Sequence, residues 1–304
     1  MSEVTPVSPE SQEKRFDVHM QYGNIAVNYL SRKNVHGYAE NGAASMHDQI
    51  ITEGLVDLRG DETVLDYGCG VGEEALKLRQ RGHLGRIVGF DINLYQTLET
   101  RRQIEKQRLL PIEFRPIEAF GTEIEDKSAD RELAILVLQH TAYEEVLPML
   151  ARKLRSDGKL LVGTDGPDNQ PRRTEFTIEV AEWFGVEAPN LTATFDSTEA
   201  EKTLPRYFGK VTPHGVQNRL KIDTDTAILY YTLALYSLAS ACNPAIHGRE
   251  WDDAVNALIV PKIEDIVRRK GQFIDAVDKW WYVCEDPLYL GPQLTNASNS
   301  DAES

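Results

Sequence analysis

The hydrophobic pattern changes character twice along the chain. Between residues 61 and 165, short apolar runs alternate with amphipathic stretches. TVLDYG is a β-branched run ending in a glycine turn, and EEALKLRQR behind it carries the spacing of a helix face. RIVGFDI predicts a second strand, LYQTLETRRQIEKQRL a second helix, PIEFRPI a third strand and ELAILVLQ a fourth. YEEVLPMLARKLRSDG predicts a helix closed by Gly158, and KLLVGTD a fifth strand. Runs without polar alternation are expected to be buried on both faces, which predicts a parallel sheet covered by helices on each side.

The flanks follow other patterns. Residues 16–57 carry helical spacing interrupted around residues 34–42, with Tyr22 and Tyr29 on one helix face. Beyond Asp165, PDNQPRR is a polar break and TEFTIEVAEWFGV predicts a helix. LPRYFGKVTPHGVQNRLKID has the look of two strands around a turn. TAILYYTLALYSLASA and WDDAVNALIVPKIEDIVRRKGQFIDAV predict helices, and KWWYVCED a final aromatic strand. Both ends are small and polar and are expected to fray. The organisation expected is therefore a tail (1–15), a helical segment (16–60), an alternating core (61–165), an extension that completes the sheet or caps it (166–287), and a second tail (288–304).

Composition narrows the function. With 41% hydrophobic and 27% charged positions in 304 residues, the chain reads as a soluble globular protein. No run approaches the roughly 20 apolar residues of a membrane span, and MSEVTPVSPESQEKR lacks the apolar centre of a signal peptide. A cytoplasmic protein with no membrane partner is expected. Against 33 Lys and Arg stand 48 Asp and Glu, a formal charge of −15, which is the wrong sign for a surface that neutralises phosphates. Nucleic acid is excluded as the expected partner. Cys69, Cys242 and Cys284 are too few and scattered for a disulfide framework or a structural zinc site, so reduced thiols and no metal are expected.

The chemistry concentrates at the first strand-to-helix turn, Asp66-Tyr67-Gly68-Cys69-Gly70-Val71-Gly72-Glu73-Glu74. Glycines at 68, 70 and 72 permit a tight turn and close approach of a ligand to the helix N-terminus. Two ligand classes compete for such a turn. A dinucleotide fingerprint, G-x-G-x-x-G, needs a third glycine where this chain has Glu73, and a glutamate there repels a pyrophosphate. Asp66 at the strand end instead accepts a hydrogen bond from a cationic amino group. A ligand with an ammonium and a sulfonium but no phosphate, S-adenosylmethionine, suits this acidic rim.

On these residues the chain resembles the class I S-adenosylmethionine-dependent methyltransferases, in the small-molecule-methylating group whose first motif reads like LDxGCGxG. The resemblance runs over residues 16–165. It implies an α/β fold with a Rossmann-like, doubly wound, mostly parallel sheet, a helical N-terminal lid and an α+β C-terminal extension. It implies a cofactor site of Tyr29, Asp66, Gly68, Cys69, Gly70, Asp91, Ile92, Ile117, Glu118, Leu136 and Gln139. In it Asp91 grips both ribose hydroxyls, and an ionised carboxylate can take two O–H donors at once. Ile92 would flank the adenine, and Asn93 reads as a helix cap. The family's usual acidic contact to the adenine amino group falls at Pro116 here, so Glu118 either supplies that contact or points to water. Leu136 and Gln139 lie where the strand passes under the methionine moiety.

The same resemblance makes residues 16–60 a lid, with Tyr22 and His36 as candidates for the substrate wall. Tyr207 and Tyr231 join them from the aromatic-rich region beyond Asp168, where the helix carrying Tyr231 reads most simply as an interhelical packing face and otherwise as a pocket wall. Arg32 extends the polar side of that lid, and Asp165 and Gly166 fall where substrate loops emerge. Methyl transfer from a sulfonium is an in-line displacement whose leaving group is already activated, so alignment and water exclusion carry most of the work. A general base is needed only where the acceptor must lose a proton. His140, His36, His47 and Tyr22 are the candidates, and the resemblance gives a histidine at position 140 a structural role more often than that of a base. The expected function is methyl transfer to a small-molecule acceptor by a monomer or homodimer. The alternatives are a protein or RNA methylase, or a non-catalytic sensor that binds the cofactor.

Overall fold

The computed structural model of the chain describes residues 46–188, 194–234 and 244–289. Seven strands form one sheet in the order β3-β2-β1-β4-β5-β7-β6. β1 (Val64–Tyr67), β2 (Ile87–Asp91), β3 (Glu113–Pro116), β4 (Ala129–Ile135) and β5 (Leu154–Asp165) run parallel. β6 (Phe208–Ile222) occupies the edge, and β7 (Phe273–Pro287) lies antiparallel between β5 and β6. Every residue of β1, β2 and β4 is buried, and β4 differs from the apolar run 132–139 expected for it: it starts at Ala129, buries Asp130, Arg131 and Glu132, and ends at Ile135. The alternating βα units and the reversal of strand order at β1 and β4 make this the doubly wound α/β sheet expected.

Neighbouring residues on each strand serve different cores. Leu65, Val88, Ala134, Val162 and Tyr282 pack with α4 (Ala119–Glu123), α5 (Tyr143–Lys153) and α7 (Ser197–Thr203). Val64, Ile87, Leu133, Leu161 and Trp281 face the opposite way, against α1 (Met46–Gln49), α2 (Glu73–Gln80) and α3 (Leu98–Gln107). Side chains alternate across a strand, so this parity puts helices on both faces. A short π-helical turn, Ile50–Gly54, continues α1 onto the sheet, where Gly54 lets Leu161 and Trp281 approach so closely that an added Cβ would sit 2.3 Å from the Leu161 side chain.

The C-terminal third extends the sheet and also builds a third core. The β5–β7 ladder ends where Asp165 faces Lys279, but the β6–β7 ribbon continues for six further pairs to Ile222 and Phe273. At about 3.4 Å per residue the ribbon rises roughly 20 Å past the edge of the parallel strands. Leu220, Ile222, Phe273 and Val277 on this ribbon pack against α6 (Pro171–Trp183), α8 (Thr224–Ala234), α9 (Pro244–Ala254) and α10 (Val260–Lys270). A wall of ribbon and helices therefore stands beside the C-terminal ends of β4 and β5.

Three sequence expectations are corrected. The helix of residues 143–158 ends at Lys153, because Leu154 turns extended, buries completely and pairs with Ala129. The stretch read as two strands is one strand, β6. Pro213 lacks an N–H, which an edge strand tolerates, and Gly215 makes room for the Trp280 ring rather than for a turn. The last helix ends at Lys270 with Gly271 in the left-handed region at φ 79°, so residues 273–277 belong to β7. No helix among the described residues is long and apolar enough to cross a membrane.

Candidate active site

The site lies at the C-terminal edge of the parallel strands, where a doubly wound sheet opens a crevice between loops. β1 delivers Asp66 and then a turn in which Gly68, Gly70 and Gly72 all have positive φ. Gly68 is required by packing, since a Cβ there would lie 2.2 Å from Val137 Cγ2. Gly70 differs: at φ +51° its missing Cβ would meet nothing within 4 Å, so the loop is open on the side a ligand would approach.

Asp91, at the end of β2, straps this loop. Its Oδ2 accepts a hydrogen bond from Gly70 N and its Oδ1 one from Asn93 N, both at 2.8 Å. The Asn93 side chain in turn accepts from Tyr95 N at 3.1 Å and caps the next turn, as expected of it. Asp66 is buried, and its Oδ2 has no hydrogen-bond partner. Burial first, then the negative charges of Glu74 and Asp91, push the Asp66 carboxyl well above the ordinary range. Three carboxylates thus converge under one open glycine loop.

Glu74 is the best compensated of the three. Burial raises its pKa, but the charge and hydrogen bond of the His47 imidazole more than reverse this and hold it below the ordinary value. Burial works against the His47 cation in the same way, and Glu74 overcomes it, so His47 titrates above its usual value. Lys77 reinforces the contact, binding Asp48 at 2.5 Å and Glu73 at 2.8 Å. The short helix α1 is thereby pinned to α2 beside the glycine loop. His47 Nδ1 is committed to Glu74, which weakens the case for it as a base.

A second group of charges sits over β4, β5 and β7. Lys279 donates to Asp165 Oδ1 at 2.6 Å. Burial raises the Asp165 carboxyl, but Lys279 outweighs it, with further help from Arg173 and Asn169, and the net shift is downward. His140 closes a single turn (Leu138–His140) after β4. Loss of hydration, then the Arg173 guanidinium, lowers its pKa, while Asp165 partly offsets them. The shift favours the neutral imidazole, the form that accepts a proton, on a side chain that is exposed at the strand edge. Gln139 beside it has a buried, unpartnered Oε1.

The structure brings together Asp66, Gly68, Gly70, Asp91, Gln139 and His140 along one edge of the sheet. Leu136, on the same edge, has a strained backbone at φ 53°. Cys69 contributes its backbone only: its thiol packs against Gly89, and burial pushes the thiol up in pKa, which makes it inert. Ile92 is exposed at the end of β2, Ile117 is half-buried against the core, and Glu118 is exposed. Tyr22, Tyr29, Arg32 and His36 lie outside the described residues.

Two substrate-wall expectations are corrected. Tyr231 is fully buried among Phe176, Tyr230 and Phe273, with its hydroxyl bound to Asp275, so it is a core residue of the helical layer. Tyr207 precedes Phe208, which pairs with Pro287, and the strand register puts this pair at the opposite edge of the sheet from Asp165 and Lys279. Conversely, Glu74, Lys279 and Arg173 carry no role in the sequence reading. Glu74 was legible as a charge at the helix start; Lys279 and Arg173 acquire meaning only through strand register and helix docking.

An open glycine loop over a buried, unpartnered carboxylate, at the switch point of a doubly wound sheet, gives this α/β protein a crevice whose acceptors match a cation better than a pyrophosphate. Residues 65–162, the span from β1 to β5, match the family model described as a methyltransferase domain. No curated protein matches the sequence. Among solved structures, the YcgJ protein from Bacillus subtilis is similar at 14% identity, covering 79% of this chain and 97% of its own, with a TM-score of 0.51. A putative methyltransferase from Bacillus halodurans C-125 is 13% identical, covering 81% of this chain and 100% of its own, with a TM-score of 0.49.

The donor set fits S-adenosylmethionine. Asp66 supplies an orphaned acceptor for an ammonium group, and Asp91 and the open face at Gly70 suit a ribose.

Proposed function

We propose that the protein transfers a methyl group to a small-molecule acceptor bound between the strand edge and the ribbon wall, with His140 as proton acceptor. When bound, S-adenosylmethionine supplies an activated methyl group on a sulfonium. Asp66 and Glu74 hold its ammonium end, Asp91 the ribose hydroxyls, and Ile92 and Ile117 the faces of the adenine, with Glu118 at the rim. Leu136 and Gln139 lie under the methionine chain. The chain's work is alignment: effective molarities of well-held reactants are worth about 7–11 kcal/mol of barrier.

The observation that carries the reading is the buried Asp66 Oδ2 left without a partner under the open loop. A protein keeps such an oxygen only at a cost of about 1–3 kcal/mol, and a bound ammonium removes that cost. The small-molecule acceptor is favoured by the roughly 20 Å wall of ribbon and helices over β4 and β5, and the charge of −15 speaks against RNA. Calorimetry with S-adenosylmethionine and with NAD tests the cofactor half: binding of NAD alone would overturn it. Incubation of a metabolite filtrate with methyl-labelled cofactor tests the acceptor half through the appearance of one labelled small molecule.

A further inference from the structure

Arg173 stands apart from the other partly buried arginines. Arg79 donates to the carbonyls of His83, Gly85 and Pro111; Arg131 pairs with Asp57 and Glu62; Arg115 pairs with Glu113 and Glu123; Arg172 reaches Glu175 and the Ile274 carbonyl. Arg173 projects from the first turn of α6, is half-buried, and has an Nε withdrawn from solvent with no partner. Among the described residues no carboxylate, carbonyl or ring engages its guanidinium. The segment leading into α6 is tied to β7 by Gly166 N to Asp278 O at 2.8 Å and Gln170 N to Ala276 O at 3.0 Å, which sets Arg173 near the end of β5 by Asp165 and Lys279, and its charge is felt by His140 and Asp165.

Asp165 does not neutralise it, because Lys279 already binds that carboxylate at 2.6 Å. A cation without a partner at a recess edge, in a chain of formal charge −15, is an unusual placement. The crevice is therefore polarised, with carboxylates Asp66, Glu74 and Asp91 at the cofactor end and an uncommitted guanidinium at the acceptor end. A guanidinium presents parallel N–H donors that match two oxygens of a carboxylate or phosphate.

We propose that Arg173 is the specificity-determining residue of the acceptor site and that the acceptor carries an anionic group, a carboxylate or phosphate, beside the atom that receives the methyl group. This rests on the function proposed above. The anion would bind the Arg173 fork while the nucleophilic atom lies between His140 and the cofactor end. It also adds attraction between an anionic acceptor and a sulfonium donor.

The test uses a metabolite filtrate of the native cells, separated by anion exchange into retained and unretained pools, each incubated with methyl-labelled S-adenosylmethionine and the full-length protein. The expected result is label transfer from the retained pool, with the apparent KM for that pool raised tenfold or more in Arg173→Met and partly restored in Arg173→Lys. Cofactor affinity by calorimetry should stay within twofold in both variants. Phosphatase treatment of the pool abolishes transfer for a phosphate acceptor and spares it for a carboxylate. Transfer from the unretained pool alone, or a KM within threefold of the parent in Arg173→Met, overturns the inference and leaves the methyltransferase reading intact. Normal cofactor binding with no transfer from either pool overturns the function on which it rests.

Discussion

Lys279 Nζ lies 2.6 Å from Asp165 Oδ1, across the last rung of the β5–β7 ladder. The antiparallel strand thereby supplies a cation to the end of a parallel one, at the point where the ribbon leaves the sheet. Lys279→Met would leave the Asp165 carboxylate largely buried and short of its main partner, at a cost of about 1.5–3 kcal/mol at neutral pH. The folded-state pKa of Asp165 is lowered, so the stabilisation is present above its unfolded pKa and is lost as pH falls through the folded value. Melting curves of parent and variant should therefore differ at pH 7 and converge in acid.

Asp91 has a structural strap and a proposed ligand role in one carboxylate. Asp91→Ala removes the acceptors of Gly70 N and Asn93 N as well as the ribose contact. Calorimetry should show a cofactor affinity at least tenfold weaker, equivalent to about 1.4 kcal/mol or more. Unchanged affinity with a lowered melting temperature would reduce Asp91 to the strap.

The two loop glycines should separate stability from binding. Gly68→Ala drives a methyl group into Val137 in a left-handed conformation, and a loss of about 2–3 kcal/mol is expected in urea denaturation. Gly70→Ala meets no protein atom, so only the backbone strain of about 1 kcal/mol remains. Its larger effect should be on cofactor binding, where the methyl group occupies the ligand's side of the loop.

Glu132, in the middle of β4, is fully buried with both carboxylate oxygens unpartnered. Burial pushes its pKa well above the ordinary range, and Lys153 only partly opposes this. A raised carboxylate pKa means the fold holds a proton that the unfolded chain releases, so stability falls as pH rises above the unfolded value. Glu132→Gln should flatten that decline and raise the melting temperature at pH 8, with little change at pH 4.

His140 offers the kinetic test. If it accepts the acceptor's proton, His140→Asn should lower kcat by about 10²–10⁴-fold while cofactor affinity holds. The acid limb of the parent's rate profile should fall below the usual histidine range, since lost hydration and Arg173 lower this pKa. In Arg173→Lys a cation is retained, and the limb should move little.

Periodicity carried the existence and order of the five parallel strands, though β4 starts at Ala129, ahead of its apolar run; residue type marked the glycine turn with Asp66, and the family resemblance supplied the role of Asp91. These depend on local spacing: buried strands must be continuously apolar, and a loop that admits a ligand must lack Cβ atoms. The acidity of the turn also separated a sulfonium ligand from a dinucleotide, because a charge repels a phosphate in any fold. What local spacing could not decide was whatever depends on partners distant in sequence. Pro213 and Gly215 signal a turn until β6 is known to be an edge strand beneath Trp280. Tyr231 looks like a pocket wall until Phe176, Phe273 and Asp275 enclose it. The pairing of His47 with Glu74, the rung joining Asp165 to Lys279, and the unpaired guanidinium of Arg173 arise from contacts spanning 27 or more residues, or from the absence of one. Burial and charge are properties of the packed neighbourhood, so the polarity of the acceptor site was decided only by the tertiary structure.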